Sequence, residues 1–255
     1  MSLESWLDFA RGPLFRLCFS LMILGLLRIL VLTILGMKEA WDRSADKIVP
    51  WRDLTVQTAK WLVPVSSLWR KRPIYSAVSV VFHAGLLLVP LFLPAHVLLW
   101  KRAVGFAWAE LPQALADWLT LAAVAAGLGL FAGRVFHSAA RALSRRQEYV
   151  WPLLLVVPFA TGYLCSHAVL SPRAYQWLML LHVFAGNLIL LLIPFTKIAH
   201  CVLFPLSQYV SGLAWKFPPR AGQRVAETLG YADRPTWVER PRVATDRILT
   251  PTEEA

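Results

Sequence analysis

The chain has 255 residues, 57% of them hydrophobic and 16% charged, with a mean hydropathy of +0.54; such values exclude an ordinary soluble globular domain and point to an integral membrane protein. The formal charge of +11 is read as Lys and Arg facing cytoplasm and anionic lipid, not as a nucleic-acid surface. Cys18, Cys165 and Cys201 sit singly in apolar stretches, so neither a disulfide framework nor an iron–sulfur site is indicated.

The N-terminal stretch MSLESWLDFARGP carries acidic residues and no short basic leader, and is expected to be retained rather than cleaved as a signal peptide. Five stretches then reach the roughly 20 residues needed to cross a bilayer core, at 14–36, 76–100, 113–134, 150–170 and 175–204. The expected architecture is an all-α bundle of five transmembrane helices over 1–204, followed by a tail at 205–255. The first connection, 37–75, holds eight Lys and Arg residues and the third holds Arg141, Arg145 and Arg146, whereas the second has Lys101 and Arg102 and the fourth only Arg173. By the positive-inside rule the N-terminus lies outside and the C-terminus in the cytoplasm. The first connection also spaces Trp41, Trp51, Trp61 and Trp69 among its charges, a pattern suited to short helices in the headgroup layer or to a docking surface. The tail, rich in proline and charge, is expected to be extended and to order against a partner.

The second and fifth spans carry the chemistry. His83 and His96 stand on one, His182 and His200 on the other. Because the two spans run in opposite directions, the four residues fall into two pairs at matching depths, His83 with His200 near the cytoplasm and His96 with His182 near the outside. On an ideal helix the eighteen residues between His182 and His200 are five full turns, about 27 Å, which points both rings to one face. Facing histidines at one depth suit axial ligation of a haem iron held between helices; two such pairs make a path for electrons. Zinc fits poorly, because its usual four ligands cannot converge from pairs so far apart. The thirteen residues from His83 to His96 turn an ideal helix by about 220°, so a distorted turn is expected in 87–95, where Pro90 and Pro94 stand; Pro194 is expected to bend the fifth span likewise.

His167, at the external end of the fourth span, is an alternative to His96 as outer ligand, or a contact to a quinone or haem propionate, or a plain interfacial histidine. His137 is expected to be solvated. Arg28, within the apolar first span, would need a partner, for which a haem propionate is the candidate. Gly85 and Gly186, close to histidines, would let a macrocycle approach the backbone. A haem-free proton or ion transporter relaying through His96, His167 and His182 is the competing reading, although the middle of the fifth span offers it only Asn187.

The segments SAVSVVFHAGLL and LLHVFAGNLILLLIPFTKIAH resemble the cytochrome b gamma subunit of respiratory nitrate reductase and, more closely, its relatives in the membrane redox complexes of sulfate-reducing organisms. The likeness covers about 75–204 and is most specific at the IPF-T-K-x-x-H ending. It implies two haem b groups, His83–His200 ligating the cytoplasm-side one and His96–His182 the outer one. It further implies exchange with menaquinone or another quinone near the outer face, and a cytoplasmic iron–sulfur partner resembling heterodisulfide reductase. A periplasmic cytochrome c is a further expected partner, and the bacterial or archaeal cytoplasmic membrane the expected location. The nitrate reductase pattern spaces its helix-2 histidines more closely and has a lysine where this chain has Ala116, so the quinol contacts must be local; the candidates are His167, Asp117 and Lys101.

Overall fold

The computed structural model describes residues 2–43, 51–62, 72–214 and 227–230. Every element among them is helical: α1 (Leu3–Phe9), a π turn (Ala10–Leu14), α2 (Phe15–Arg43), α3 (Trp51–Leu62), α4 (Pro73–Phe92), α5 (Pro94–Val104), α6 (Gln113–Phe136), α7 (Ser138–Leu143), α8 (Arg146–His167), α9 (Pro172–Leu192) and α10 (His200–Ala214), with two 3-10 turns between α9 and α10. Five helical stretches are long and apolar enough to cross a membrane, Leu3–Arg43, Pro73–Phe92, Gln113–Phe136, Arg146–His167 and Pro172–Phe195. The chain is thus a multi-pass membrane protein by helix length and composition.

Three boundaries differ from the sequence expectation. The first stretch begins at Leu3, not residue 14, because Ser2 caps α1, its Oγ accepting from the Ser5 N–H at 3.2 Å, and because the π turn carries the helix through Pro13. The fifth stretch is not one helix to residue 204. It stops at Leu192, since Pro194 cannot donate to the ladder and Thr196 is extended. The tail is not extended from residue 205: α10 continues to Ala214, and the Pro-rich composition starts only at Pro218. Trp69 and the expected extended segment beyond residue 230 lie outside the described residues.

The described residues fall into two compact units, 1–30 with 60–204 and 31–59 with 205–255. In the first, small residues let helices approach, which is how apolar helices associate where lipid removes the hydrophobic drive. A Cβ added to Gly85 would stand 2.5 Å from Ala123 Cβ, and one on Gly127 would stand 2.5 Å from Val156 Cγ2. Around these contacts Phe82, Ala126, Leu130 and Val156 form one core cluster and Val89, Ala123 and Phe159 another, joining α4, α6 and α8. In the second unit α3 buries Leu54 and Thr58. Trp51 lies 6.0 Å from Trp41, and Thr55 shares a 3.0 Å hydrogen bond with the Tyr209 hydroxyl. These positions form one stripe at helical spacing, so the Trp-rich connection does contain a short amphipathic helix.

Candidate functional site

All four paired histidines lie in the first unit. His83 is on α4 and His96 on α5, because the second span breaks at Leu93, whose backbone is extended (φ −65°, ψ 130°). Pro94 has no N–H to continue the ladder. The break releases carbonyls of the last turn of α4, and the loop before α6 takes them up. Trp108 Nε1 donates to the Leu91 carbonyl at 2.7 Å, and the Leu111 N–H donates to that of Phe92 at 2.9 Å. No lone carbonyl need therefore face hydrocarbon at these two positions. The break lies within 87–95, where sequence reasoning puts a distorted turn, and it re-aims His96.

The rings of His96 and His182 stand with centres 6.0 Å apart and planes 15° from parallel. Those of His83 and His200 are also 6.0 Å apart, with planes crossing at 79°. A metal–imidazole bond of about 2 Å on each side, plus about 1 Å from each nitrogen to its ring centre, places two axial imidazoles about 6 Å apart. Both pairs match that span.

The nitrogens are also arranged for ligation. The Nδ1 of His83 donates to the Ser79 carbonyl at 2.7 Å, that of His200 to the Lys197 carbonyl at 2.7 Å and that of His182 to the Pro158 carbonyl at 2.8 Å. A carbonyl can only accept, so each Nδ1 carries the proton and each Nε2 keeps its lone pair. A carbonyl behind the far nitrogen is the usual support of a ligating histidine. The His96 Nδ1 is buried without a hydrogen-bond partner. Gly162 makes room for the His182 ring, since a Cβ there would meet its Cε1 at 2.8 Å and its Nδ1 at 3.1 Å.

His96 and His182 open on a cavity of about 510 Å³, within the range that holds a cofactor. Its wall is mostly apolar, with Phe15, Leu86, Val89 and Leu190 among the lining residues, and it includes Gly186. A Cβ on Gly186 would meet nothing within 4 Å, so this glycine leaves the cavity wall open to a flat ligand. Gly85, by contrast, is filled by Ala123 and serves helix packing. The donor set, the ring spacing and this wall fit a macrocycle with two axial imidazoles. Among the described residues no three His, Cys, Asp or Glu side chains gather as for a multidentate metal ion.

At the His83–His200 pair Pro194, Thr196 and Lys197 of the IPF-T-K-x-x-H ending each make a contact. Pro194 packs into the space that a Cβ on Gly25 would take, its Cβ 2.5 Å from that point. Thr196 Oγ1 caps the following 3-10 turn by accepting from the Ile198 N–H at 3.4 Å. The Lys197 ammonium pairs with Glu148 on α8, while the Lys197 carbonyl holds His200.

His167 stands apart from the ligand set. It stacks on Tyr163 at 4.2 Å, its Nδ1 contacts the Tyr163 carbonyl at 3.1 Å and its Nε2 contacts Asp117 Oδ2 at 3.1 Å. Both nitrogens are engaged, so His96, not His167, is the residue facing His182. Asp117 also accepts from Gln113 Nε2 at 2.8 Å, and Asp117, Gln113 and Tyr163 line the cavity. Lys101 is exposed at the end of α5 and does not line the cavity; Arg28 is exposed on α2, also away from it. Sequence reasoning missed Arg11 and Tyr175 in the wall and Gly162 behind His182. The signal available for Arg11 was Pro13 two residues on, which prevents a regular helix there.

By class, the fold and site define a helical multi-pass membrane protein with two histidine pairs spaced for axial ligation. A Nitratidesulfovibrio vulgaris (strain Hildenborough) protein, named only "Protein", is 34% identical over 211 residues, covering 80% of this chain and 91% of its own length; the chain belongs to the same family. No family model matches the chain, and no solved structure matches it.

Proposed function

We propose that the protein is the di-haem b membrane subunit of a quinone-linked respiratory oxidoreductase complex. It would span the bacterial cytoplasmic membrane with the N-terminus outside and the C-terminus in the cytoplasm, as the loop charges favour. The observation that carries this reading is the pair of histidine couples, each with ring centres 6.0 Å apart and three of the four Nδ1–H groups donated to carbonyls. His96 and His182 would hold the outer haem, His83 and His200 the cytoplasm-side one. Haem held by these four histidines would supply one-electron transfer.

The chain's own residues handle the protons. A quinol that gives up two electrons releases two protons, and the Asp117–His167 pair at the cavity is placed to accept one at His167 Nε2 or the Asp117 carboxylate. Arg28 lies one helical turn beyond Gly25, which meets Pro194, and is the propionate candidate for the cytoplasm-side haem. The short helix α3 and the segment following α10 would dock a cytoplasmic iron–sulfur protein resembling heterodisulfide reductase, with a periplasmic cytochrome c as a second exchange partner. A haem-free proton relay is disfavoured, since His167 is engaged by Asp117 and Tyr163 rather than by His96 or His182.

A reduced-minus-oxidised absorption spectrum of the purified protein tests the reading: a b-type signal with two haems per chain is expected, and its absence refutes it. His83→Ala or His200→Ala should remove one haem, and His96→Ala or His182→Ala the other.

A further inference from the structure

Arg11 is an exposed cation within the first membrane-length helical stretch. It lies in the π turn Ala10–Leu14, where Pro13 supplies no N–H and the helix widens. The turn is pinned from across the unit: Asn187 Nδ2, in a residue only 3% exposed, donates to the Ala10 carbonyl at 2.9 Å. Asn187 lies five residues beyond His182 on α9, so one buried hydrogen bond fixes the N-terminal segment against the ligand helix. The neighbouring Ala10 and Phe15 are buried, and Phe15 packs edge-on against Trp100 at 5.3 Å.

This arrangement places Arg11 in the wall of the cavity shared by His96 and His182. Among the described lining residues Arg11 alone carries a permanent positive charge. Glu4 and Asp8 line an adjoining cavity with it, yet among the described residues Arg11 forms no ion pair with either. The Arg11 side chain is exposed and, among the described residues, holds no counter-ion at the cavity. A guanidinium binds a carboxylate through two parallel hydrogen bonds, so an anionic edge of a ligand in the cavity is its natural partner.

We propose that Arg11 is the anion-binding residue of the His96–His182 cavity, taking a propionate carboxylate of the macrocycle held there. The proposal rests on the haem reading above. A flat apolar body with a carboxylate at one edge is the ligand that an apolar wall, two axial imidazoles and one cation together recognise. Reduction adds one negative charge to that body, and Arg11 stabilises the reduced form more than the oxidised one. Removing the cation lowers the midpoint potential of the outer haem and leaves the other haem unmoved, because the cavity that Arg11 lines contains His96 and His182 and not His83 or His200.

The test is an optical redox titration of the purified full-length protein, with Arg11→Gln and Arg11→Lys beside the wild type. For Arg11→Gln the expected change is about tenfold in the oxidised-to-reduced ratio of the outer haem at fixed ambient potential, which for one electron is about 59 mV; Arg11→Lys should retain most of the wild-type value. If Arg11→Gln loses the outer haem altogether, Arg11→Lys must keep it, and loss in both overturns the proposal. Two haems in Arg11→Gln with both midpoints unchanged also overturn it while leaving the haem reading intact. Absence of haem from the wild type removes both.

Discussion

Gly162→Ala is the sharpest test of the His96–His182 geometry, because the added methyl meets the ring and little else. Its Cβ would stand 2.8 Å from His182 Cε1 and 3.1 Å from Nδ1, whereas carbon atoms rest at about 3.5–4.0 Å. The ring must therefore retreat by roughly 0.7 Å. Its Nδ1–H to the Pro158 carbonyl is 2.8 Å long, and a shift of that size takes it to the limit of a hydrogen bond. Ligand bonds to a metal tolerate only about 0.2 Å, and losing the support behind a ligating histidine typically costs roughly 10- to 100-fold in affinity. The purified variant should carry one haem per chain, with the His83–His200 centre spectrally unchanged. Gly133→Ala, where a Cβ meets nothing within 4 Å, is the control and should keep both. Gly186→Ala separates packing from ligand binding: the protein leaves room for that Cβ, so its stability should hold while the outer haem weakens. Two fully bound haems with wild-type midpoints in Gly162→Ala would refute the geometry.

Trp108→Phe removes the donor to the Leu91 carbonyl and leaves that group unpaired; a loss of about 1–3 kcal/mol is expected, read as a lower thermal midpoint with preferential loss of the outer haem. Glu148→Gln removes the charge of the partly exposed Lys197–Glu148 pair, so the thermal midpoint should scarcely move. The Lys197 carbonyl still accepts from His200, so both haems should be retained, and any change of potential in a redox titration should fall on the cytoplasm-side haem alone. His167→Ala should leave both haems in place and slow quinol-driven haem reduction by roughly 10²- to 10⁴-fold in a stopped-flow assay; an unchanged rate would remove His167 from proton transfer.

The histidine pairs were legible because depth along a hydrophobic run follows from counting residues, and Pro90 with Pro94 announced the break that re-aims His96. The reason given for the fifth span was less sound. Eighteen residues make five turns only on an unbroken helix, yet α9 ends at Leu192 and His200 opens α10 after two 3-10 turns. The rings of His83 and His200 nonetheless stand 6.0 Å apart, with the backbone carbonyl of Lys197 holding His200, a contact that spacing does not encode. Arg11 was illegible for a related reason. Pro13 looks like a helix boundary, whereas Asn187, far along the chain, donates to the Ala10 carbonyl and ties the turn that carries Arg11 to α9. Arg28, the more conspicuous cation in an apolar run, is exposed like Arg11 but does not line the cavity.

The two histidine couples differ in one respect, the angle between their ring planes: 15° for His96 and His182, 79° for His83 and His200. Parallel imidazoles direct their π orbitals at the same iron d orbital and lift its degeneracy with its partner, while crossed imidazoles address one orbital each and leave the two nearly equal in energy. An oxidised iron at each place would thus have a different magnetic anisotropy. With haem bound as proposed, paramagnetic resonance of the unmodified protein should tell one centre from the other by this angle alone.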